Sequence, residues 1–292
     1  MVIQENVDLS SKTTMKIGGV AERFYLPESE EELIEIVKTL YDEAGHVWIL
    51  SGGSNLLIND RKIFESVVYM RMACRELCSL GDGRFYIGAS NRIQEVLTYV
   101  NAENYGGFEQ LISLPALFGG IIYMNAGIGG AKDSRFTIGE FIETVRVYNL
   151  VESKILEIPA ADCGFGHRCS CFQNDRYVIL GATIKCKELP AEQAQKIKEQ
   201  RLKFSKDKFE YGKGCFGTCF SAANGRILRG VALICRRIRV GNGSVRFADK
   251  NSNWLVNNGN GSFDDAMKMI RLCEIAHKLF KRRIKREIIV WE

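Results

Sequence analysis

Residues 47–60, VWILSGGSNLLIND, constrain the fold more than any other stretch of the chain. Val47, Trp48, Ile49 and Leu50 form a short apolar run of strand composition. The sequence then switches to Ser51, Gly52, Gly53, Ser54 and Asn55, and apolar residues return at Leu56, Leu57 and Ile58. Adjacent glycines open backbone conformations closed to other residues and let a ligand approach the main chain. Ser54 and Asn55 add small polar donors beside backbone N–H groups, which suits an anion-binding concavity of the kind a pyrophosphate fills. Taken alone, a Gly-Gly pair reads as a strand–turn–strand connection. A second loop of the same composition further along favours the phosphate reading. The stretch matches neither GxGxxG nor GxxxxGK[ST], which sets both of those nucleotide fingerprints aside.

A chain of 292 residues has room for two or three modules with sizeable cores. Hydrophobic residues at 46% and charged residues at 26% are typical of a soluble globular protein. No apolar run approaches the roughly 20 residues needed to span a bilayer. The opening MVIQENVDLS lacks the basic-then-apolar pattern of an export signal, so a cytoplasmic location away from the membrane is expected. The ten cysteines are then reduced thiols, many buried as small hydrophobes. Cys74 and Cys78, Cys215 and Cys219, and the cluster Cys163, Cys169 and Cys171 contain no CxxC pair, and His46, His167 and His277 are the only histidines. No metal site is expected. Residues 201–292 hold 20 Lys+Arg against 8 Asp+Glu, net +12, while residues 1–200 are net −7. A basic last third suits a polyanionic ligand.

Taken in order, residues 11–19, SKTTMKIGG, form either a loop wrapping a ligand or an entry turn. Residues 27–44 read as a helix, with Ser29 as N-cap, Glu30 to Glu32 at its positive end, and Leu33, Ile36, Val37 and Leu40 on one face. Residues 67–70 follow as a strand, giving a β-α-β opening. A second module starts near Cys74, with a strand at 84–89 and a short amphipathic helix at 92–101. The second Gly-rich region is SLPALFGGIIYMNAGIGG, residues 113–130. Its Pro115, Gly119, Gly120, Asn125, Ala126, Gly127, Gly129 and Gly130 leave backbone uncovered, as contact with a flat, extended cofactor requires. Residues 141–149 and 177–185 are strand-like, and 191–204 a polar helix. A third module covers 201–281: a Gly/Cys loop at 212–217, an apolar run at 231–234, then Arg-rich connections. Its closing helix has Ser262 as cap, Asp265 as capping-box partner, and Met267, Ile270, Cys273, Ala276 and Phe280 as buried face. A strand, REIIVWE, ends the chain.

Seven strings in this order resemble one family, the UDP-N-acetylenolpyruvoylglucosamine reductases, also called UDP-N-acetylmuramate dehydrogenases. TTMKIGG, residues 13–19, is similar to NTTFKIGG, and SGGSNLL, residues 51–57, to the GGGSNLL flavin pyrophosphate loop. LPALFGG and MNAG resemble IPGxxGG…NAG along the flavin. CGFGHRCSCF resembles CxFxYRxSxF, whose arginine is catalytic, and GTCF stands where the family has GSxFKNP, whose serine is the proton donor. KNSNWLVN is similar to KHxNFIVN, and REIIVWE to PEVRxIG with its catalytic glutamate.

The resemblance implies an α+β flavoprotein. Its FAD-binding fold is of the vanillyl-alcohol-oxidase type, in two α/β subdomains with a C-terminal α+β substrate-binding domain. The expected divisions are 1–73, rejoined by the strand 284–292, then 74–200, then 201–283. The implied reaction is NADPH-dependent reduction of the enolpyruvyl group of UDP-N-acetylglucosamine enolpyruvate to UDP-N-acetylmuramate, in peptidoglycan precursor synthesis. Residues carried over as catalytic are Arg168, Thr218 and Glu287. Carried over as cofactor-binding are Gly52, Gly53, Ser54, Asn55, Leu56, Pro115, Gly119, Gly120, Asn125, Ala126 and Gly127. FAD, NADPH and the UDP-sugar are the expected partners, with no nucleic acid, and a monomer is expected.

The chain reads as a divergent member. The donor serine position is Thr218, with Cys215 and Cys219 nearby as alternative donors. Ser221, Ala222 and Ala223 replace lysine, asparagine and proline; Ala116, His167 and Asn251 replace glycine, tyrosine and histidine. The rival readings are a flavin oxidoreductase of the same fold with another substrate and a non-catalytic flavin-binding relative. Arg236, Arg237, Arg239 and Arg246 either are solvated or hold the phosphates of UDP or NADPH; nucleic acid is the least favoured partner.

Overall fold

The computed structural model describes residues 2–128, 136–208, 210, 212–238, 240–241 and 243–292; Gly129, Gly130 and Arg239 lie outside them. The chain divides into two compact units. Unit 1 comprises Met1–Glu5, Arg23–Gly52 and Ser66–Lys203, and unit 2 comprises Asn6–Glu22, Gly53–Glu65 and Phe204–Glu292. The first Gly-rich loop is therefore cut between Gly52 and Gly53.

In unit 1 the opening helix, α1, runs Glu30–Ala44. Ser29 Oγ caps it by accepting from Glu32 N at 3.2 Å, and Gly45 stops it in the left-handed conformation at φ +73°. Leu33, Ile36, Val37 and Leu40 are its buried face. Truncating any one of them to alanine would cost about 2–5 kcal/mol. Helix α2, Ile93–Ala102, buries Ile93, Val96, Leu97 and Val100, the spacing of one helical stripe. Helix α3, Phe118–Tyr123, carries the glycines of the second loop.

These helices accompany a five-stranded antiparallel sheet in the order Lys154–Pro159, Ile142–Asn149, Tyr177–Lys185, Arg84–Gly88, Leu77–Gly81. Its central strand, Tyr177–Lys185, is buried at six of its nine positions, so it reads as an apolar run rather than an alternation. Gly181 in that strand has no room for a side chain, since a Cβ there would sit 2.5 Å from the Tyr86 hydroxyl. Trp48–Leu50 pairs in parallel with residues 67–69 of the strand Ile63–Tyr69. Helix α4, Ala191–Lys208, is the polar helix, and Arg201 Nε on it donates to Ser113 Oγ at 3.0 Å.

Unit 2 is built on a three-stranded antiparallel sheet, Gly214–Thr218, Trp254–Asn257 and Val245–Phe247, with Trp254–Asn257 in the middle. Two helices share its core. Helix α5, Gly225–Ile238, corrects the sequence reading of residues 231–234 as a bare apolar run followed by connections. Gly225 and Gly230 weaken the helix signal there, but Leu228, Val231 and Cys235 form its buried stripe. Helix α6, Phe263–Leu279, starts at Ser262, whose Oγ accepts from Asp265 N at 3.2 Å. Met267, Ile270 and Cys273 are buried as expected, but Phe280 falls just past the helix and is 68% exposed. Buried His277 bonds Cys273 O through Nδ1 at 2.7 Å and accepts from Asn224 N at Nε2, 3.0 Å. The chain closes with Ile289–Trp291 in parallel to Leu56–Ile58, and Lys285–Arg286 antiparallel to Phe220–Ser221. Among the described residues no helix is long and apolar enough to cross a membrane.

Candidate active site

In unit 1 the strand Trp48–Leu50 delivers Ser51 and Gly52 against the second Gly-rich segment. A Cβ on Gly52 would stand 3.2 Å from Leu117 N and 3.3 Å from Pro115 O, and one on Gly120 would stand 3.1 Å from Ser51 Oγ. The two loops that the sequence pairs by composition therefore meet, at positions where only glycine keeps the surface open. Ser51 Oγ is buried and has no hydrogen-bond partner among the described residues. A buried hydroxyl left in that state costs about 1–3 kcal/mol.

The rest of the second segment divides by role. Pro115 is exposed and Gly119 and Gly120 are partly so. Gly119 N donates to Ala89 O at 2.8 Å, and a Cβ there would meet Ala89 Cβ at 2.9 Å. Asn125, Ala126 and Gly127 are buried. Asn125, left-handed at φ +39°, accepts from Gly139 N with Oδ1 at 2.9 Å and donates from Nδ2 to Gly166 O at 2.9 Å. Ala126 N donates to Ile121 O at 2.8 Å, and Gly127 pairs with Thr137.

Through Gly166 this scaffold reaches Arg168. Gly166 N donates to Cys169 O at 3.0 Å and Cys169 N to Gly166 O at 3.3 Å, closing a two-residue turn over His167 and Arg168. Arg168 is half-buried and sits at φ +53°. For a residue with a Cβ that conformation costs about 1–2 kcal/mol. Such strain is held where surrounding bonds over-determine it, and it clusters at functional positions.

Unit 2 assembles the other predicted residues. Gly53, left-handed at φ +60°, accepts from Thr14 N at 3.1 Å, and a Cβ on it would lie 2.3 Å from Lys12 O. The segment at 11–19 thus wraps this half of the loop. Asn55 Nδ2 donates to Glu287 O at 2.9 Å, and Asn55 O accepts from Ile289 N at 3.0 Å. Glu287 N in turn donates to Cys219 O at 2.9 Å. The Gly-rich loop, the donor strand and the closing segment are in this way clamped at one point. Glu287 is half-buried, and its neighbour Arg286 forms a two-pronged pair with Glu274, Nε–Oε1 2.5 Å and Nη2–Oε2 2.9 Å. Ser54 and Leu56 flank Asn55, with Leu56 buried at the start of its strand.

Thr218 Oγ1 accepts from Trp254 Nε1 at 3.2 Å, which leaves its hydroxyl hydrogen to donate elsewhere. The two nearby thiols differ from it. Cys219 has no exposed surface, and burial pushes its thiol well up; Cys215 is pushed up to about 11 by burial, with Gly217 N on its sulfur at 3.3 Å opposing that rise. Asn253, inside the KNSNWLVN string but not singled out in it, accepts Phe220 N at 3.1 Å and donates to Phe220 O at 2.8 Å, while its carbonyl accepts Cys219 N at 2.8 Å. Ser221 lies in the ladder opposite Lys285, and Ala222 stands at φ +55°.

The basic last third is partly neutralised. Arg246 Nη2 meets Glu210 Oε2 at 2.6 Å and Asp249 Oδ2 at 3.3 Å, and Arg236 pairs with Asp249. Burial would raise the Glu210 carboxyl, but Lys213, Asp249 N and Arg246 on its oxygens hold it down at about 2. Arg246 is therefore not an open phosphate ligand. A cavity of about 370 Å³ lined by Cys235, Val240, Phe247 and Met269 has Arg236 and Arg246 in its wall and contains none of the expected catalytic or flavin-binding residues. Among the described residues no cluster of His, Cys, Asp or Glu could hold a metal ion. All ten cysteines are free thiols.

Residues 21–158 match the FAD binding domain family. The chain is 25% identical over 293 residues to the UDP-N-acetylenolpyruvoylglucosamine reductase of Fusobacterium nucleatum, covering 99% of both chains. It is 28% identical over 280 residues to the protein of that name from Chlamydia felis, covering 92% of this chain and 88% of that one. The chain is similar to these reductases over nearly its whole length. The crystal structure of UDP-N-acetylenolpyruvylglucosamine reductase from Thermus caldophilus shares its fold, with a TM-score of 0.74 at 21% identity over 100% of both chains. Both Gly-rich stretches, residues 47–60 and 113–130, lie inside the FAD-binding match, whereas Arg168, Thr218 and Glu287 lie outside it. The orphaned Ser51 hydroxyl and the glycine-lined meeting of the two loops fit a cofactor that brings its own hydrogen-bonding oxygens.

Proposed function

We propose that this chain is an FAD-dependent reductase that uses NADPH to convert UDP-N-acetylglucosamine enolpyruvate to UDP-N-acetylmuramate, a step in making peptidoglycan precursor. The observation that carries the reading is the clamp at Glu287. Its amide is bound by Cys219, the neighbour of Thr218, and its carbonyl by Asn55 of the Gly-rich loop. Three strings far apart in sequence converge there on one short backbone segment.

Gly52, Gly53, Ser54, Asn55 and Leu56 would hold the FAD pyrophosphate, with Ser51 as a further donor, and Pro115, Gly119 and Gly120 would face the ring system. Asn125, Ala126 and Gly127 support that surface from behind. When bound, FAD supplies the transfer of hydride from NADPH to the vinyl carbon C3 of the substrate. Arg168, a planar and permanently charged fork, binds the substrate carboxylate in two-pronged fashion and stabilises the negative charge that grows on it. Thr218, its oxygen held by Trp254, delivers a proton to C2. Glu287 orients the groups around the developing acid. A division of labour into 1–73 with 284–292, 74–200 and 201–283, a cytoplasmic location and a monomeric state complete the proposal.

A visible spectrum of the purified protein, followed by anaerobic NADPH and then the enolpyruvyl sugar nucleotide, tests this. Bleaching of the yellow colour by NADPH and its return with the sugar nucleotide are expected. A colourless protein that takes up no FAD rejects the flavin reading. Bleaching without return rejects the substrate and leaves an FAD oxidoreductase of another specificity.

A further inference from the structure

Gln173 stands outside the strings that led to Arg168, yet its carboxamide binds the turn that carries that residue. Nε2 donates to Arg168 O at 3.1 Å and to Tyr123 O at 3.0 Å, so both amide hydrogens are spent on carbonyls; Met124 Sδ lies 3.6 Å away. Tyr123 is the last residue of α3, where helix carbonyls lack partners of their own. The same Tyr123 carbonyl accepts from Ser170 Oγ at 2.7 Å. The arginine turn is thereby fastened to the end of the helix that carries Gly119 and Gly120.

Arg168 is left-handed at φ +53°. Relaxing to the right-handed region would turn the peptide plane that follows it, and with that plane its own carbonyl oxygen. The bond from Gln173 opposes that one motion. Other bonds hold the neighbours: Asn125 Nδ2 binds Gly166 O at 2.9 Å, and Gly166 and Cys169 bind each other.

We propose that Gln173 is a positioning residue for Arg168, fixing the left-handed backbone that aims the guanidinium at the substrate carboxylate. The proposal rests on the reading of Arg168 given above. A neutral group with two N–H donors is needed at this position. Glutamate would set a negative charge against two carbonyl oxygens, and methionine keeps the length but donates nothing.

The test uses the FAD-loaded protein with Gln173→Met and Gln173→Glu, each in the wild-type and Arg168→Lys backgrounds. Stopped-flow absorbance separates flavin reduction by NADPH from reoxidation by the enolpyruvyl sugar nucleotide. Misplacing a reacting group by about 1 Å can cost about 10²-fold. In the wild-type background, reoxidation should slow by about that factor while reduction by NADPH is unchanged. In the Arg168→Lys background the same changes should add little, because the geometry they protect is already lost. A crystal structure of Gln173→Met reads the backbone directly and should find Arg168 outside the left-handed region. Silent Gln173 variants, equal losses in both backgrounds, or Arg168 still near φ +53° in Gln173→Met would each overturn the proposal. If wild type itself never reoxidises with this substrate, the reaction reading fails and the crystal structure alone decides the role of Gln173.

Discussion

Replacing Gly53 by alanine tests whether the Gly-rich loop owes its shape to its glycines. Two costs follow from the structure. At φ +60° an alanine loses about 1–2 kcal/mol relative to a right-handed position. Its Cβ would also lie 2.3 Å from Lys12 O and 3.0 Å from Thr13 Cα, backbone atoms with no rotamer to escape into. Overpacking of this kind costs about 1–3 kcal/mol. Together they predict a loss of about 2–5 kcal/mol. Gly45→Ala is the internal control, since Gly45 is also left-handed, at φ +73°, but has nothing within 4 Å of a built Cβ. It should show only the conformational part. Urea unfolding of the FAD-free proteins measures both losses, and quenching of flavin fluorescence measures FAD affinity. Gly53→Ala should destabilise more than Gly45→Ala and weaken FAD by about tenfold for each 1.4 kcal/mol of loop distortion carried into the bound state. Equal destabilisation by the two variants, with FAD affinity unchanged in Gly53→Ala, would refute the reasoning.

Arg168→Lys keeps the charge but loses the planar fork, so turnover should fall by about 10²-fold with FAD content unchanged; an unaltered rate makes Arg168 structural. Thr218→Ala should slow the proton-dependent half-reaction by about 10²–10⁴-fold while Thr218→Ser is tolerated. A silent Thr218→Ala beside a severe Cys215→Ala or Cys219→Ala moves the donor to a thiol. Ser51→Ala removes a buried hydroxyl that has no partner, so FAD-free stability should hold or rise while FAD affinity falls; unchanged affinity would mean the hydroxyl does not meet the cofactor. Glu210, held at about 2, has a folded-state pKa below its ordinary 4.5, so its contribution is full above about pH 4.5 and vanishes as pH falls through 2. The stability gap between wild type and Glu210→Gln should be on the order of 3 kcal/mol at pH 7 and should close between pH 4.5 and 2; a gap independent of pH contradicts the pairing with Lys213 and Arg246.

Local signals made much of the fold legible. Helix α1 combines a capping serine, three acidic residues in its first turn and one apolar stripe, each fixed by neighbours within four positions. Helix α5 was obscured because its apolar stripe is only three residues, and Gly225 and Gly230 argue locally against a helix that tertiary packing supplies. Phe280 has the right spacing for the buried face of α6, but the helix ends one residue earlier and leaves it exposed. At the site, the glycines were readable because only glycine permits left-handed backbone and close approach without penalty. The partners of Arg168 and Glu287 were not readable. Gln173, Asn125 and Asn253 act through pairs of side-chain hydrogen bonds to main-chain carbonyls and amides, some more than 30 residues away in sequence. No composition or spacing marks such a bond.

Reaction in deuterated water tests most directly whether this chain reduces the enolpyruvyl group with a solvent-exchangeable proton delivered to C2. The exchangeable Thr218 proton becomes a deuteron, so UDP-N-acetylmuramate formed from NADPH and the enolpyruvyl sugar nucleotide should carry deuterium at C2 of its lactyl group, read by mass and proton resonance. Failure to form that product, or product with only ordinary hydrogen at C2, would contradict it.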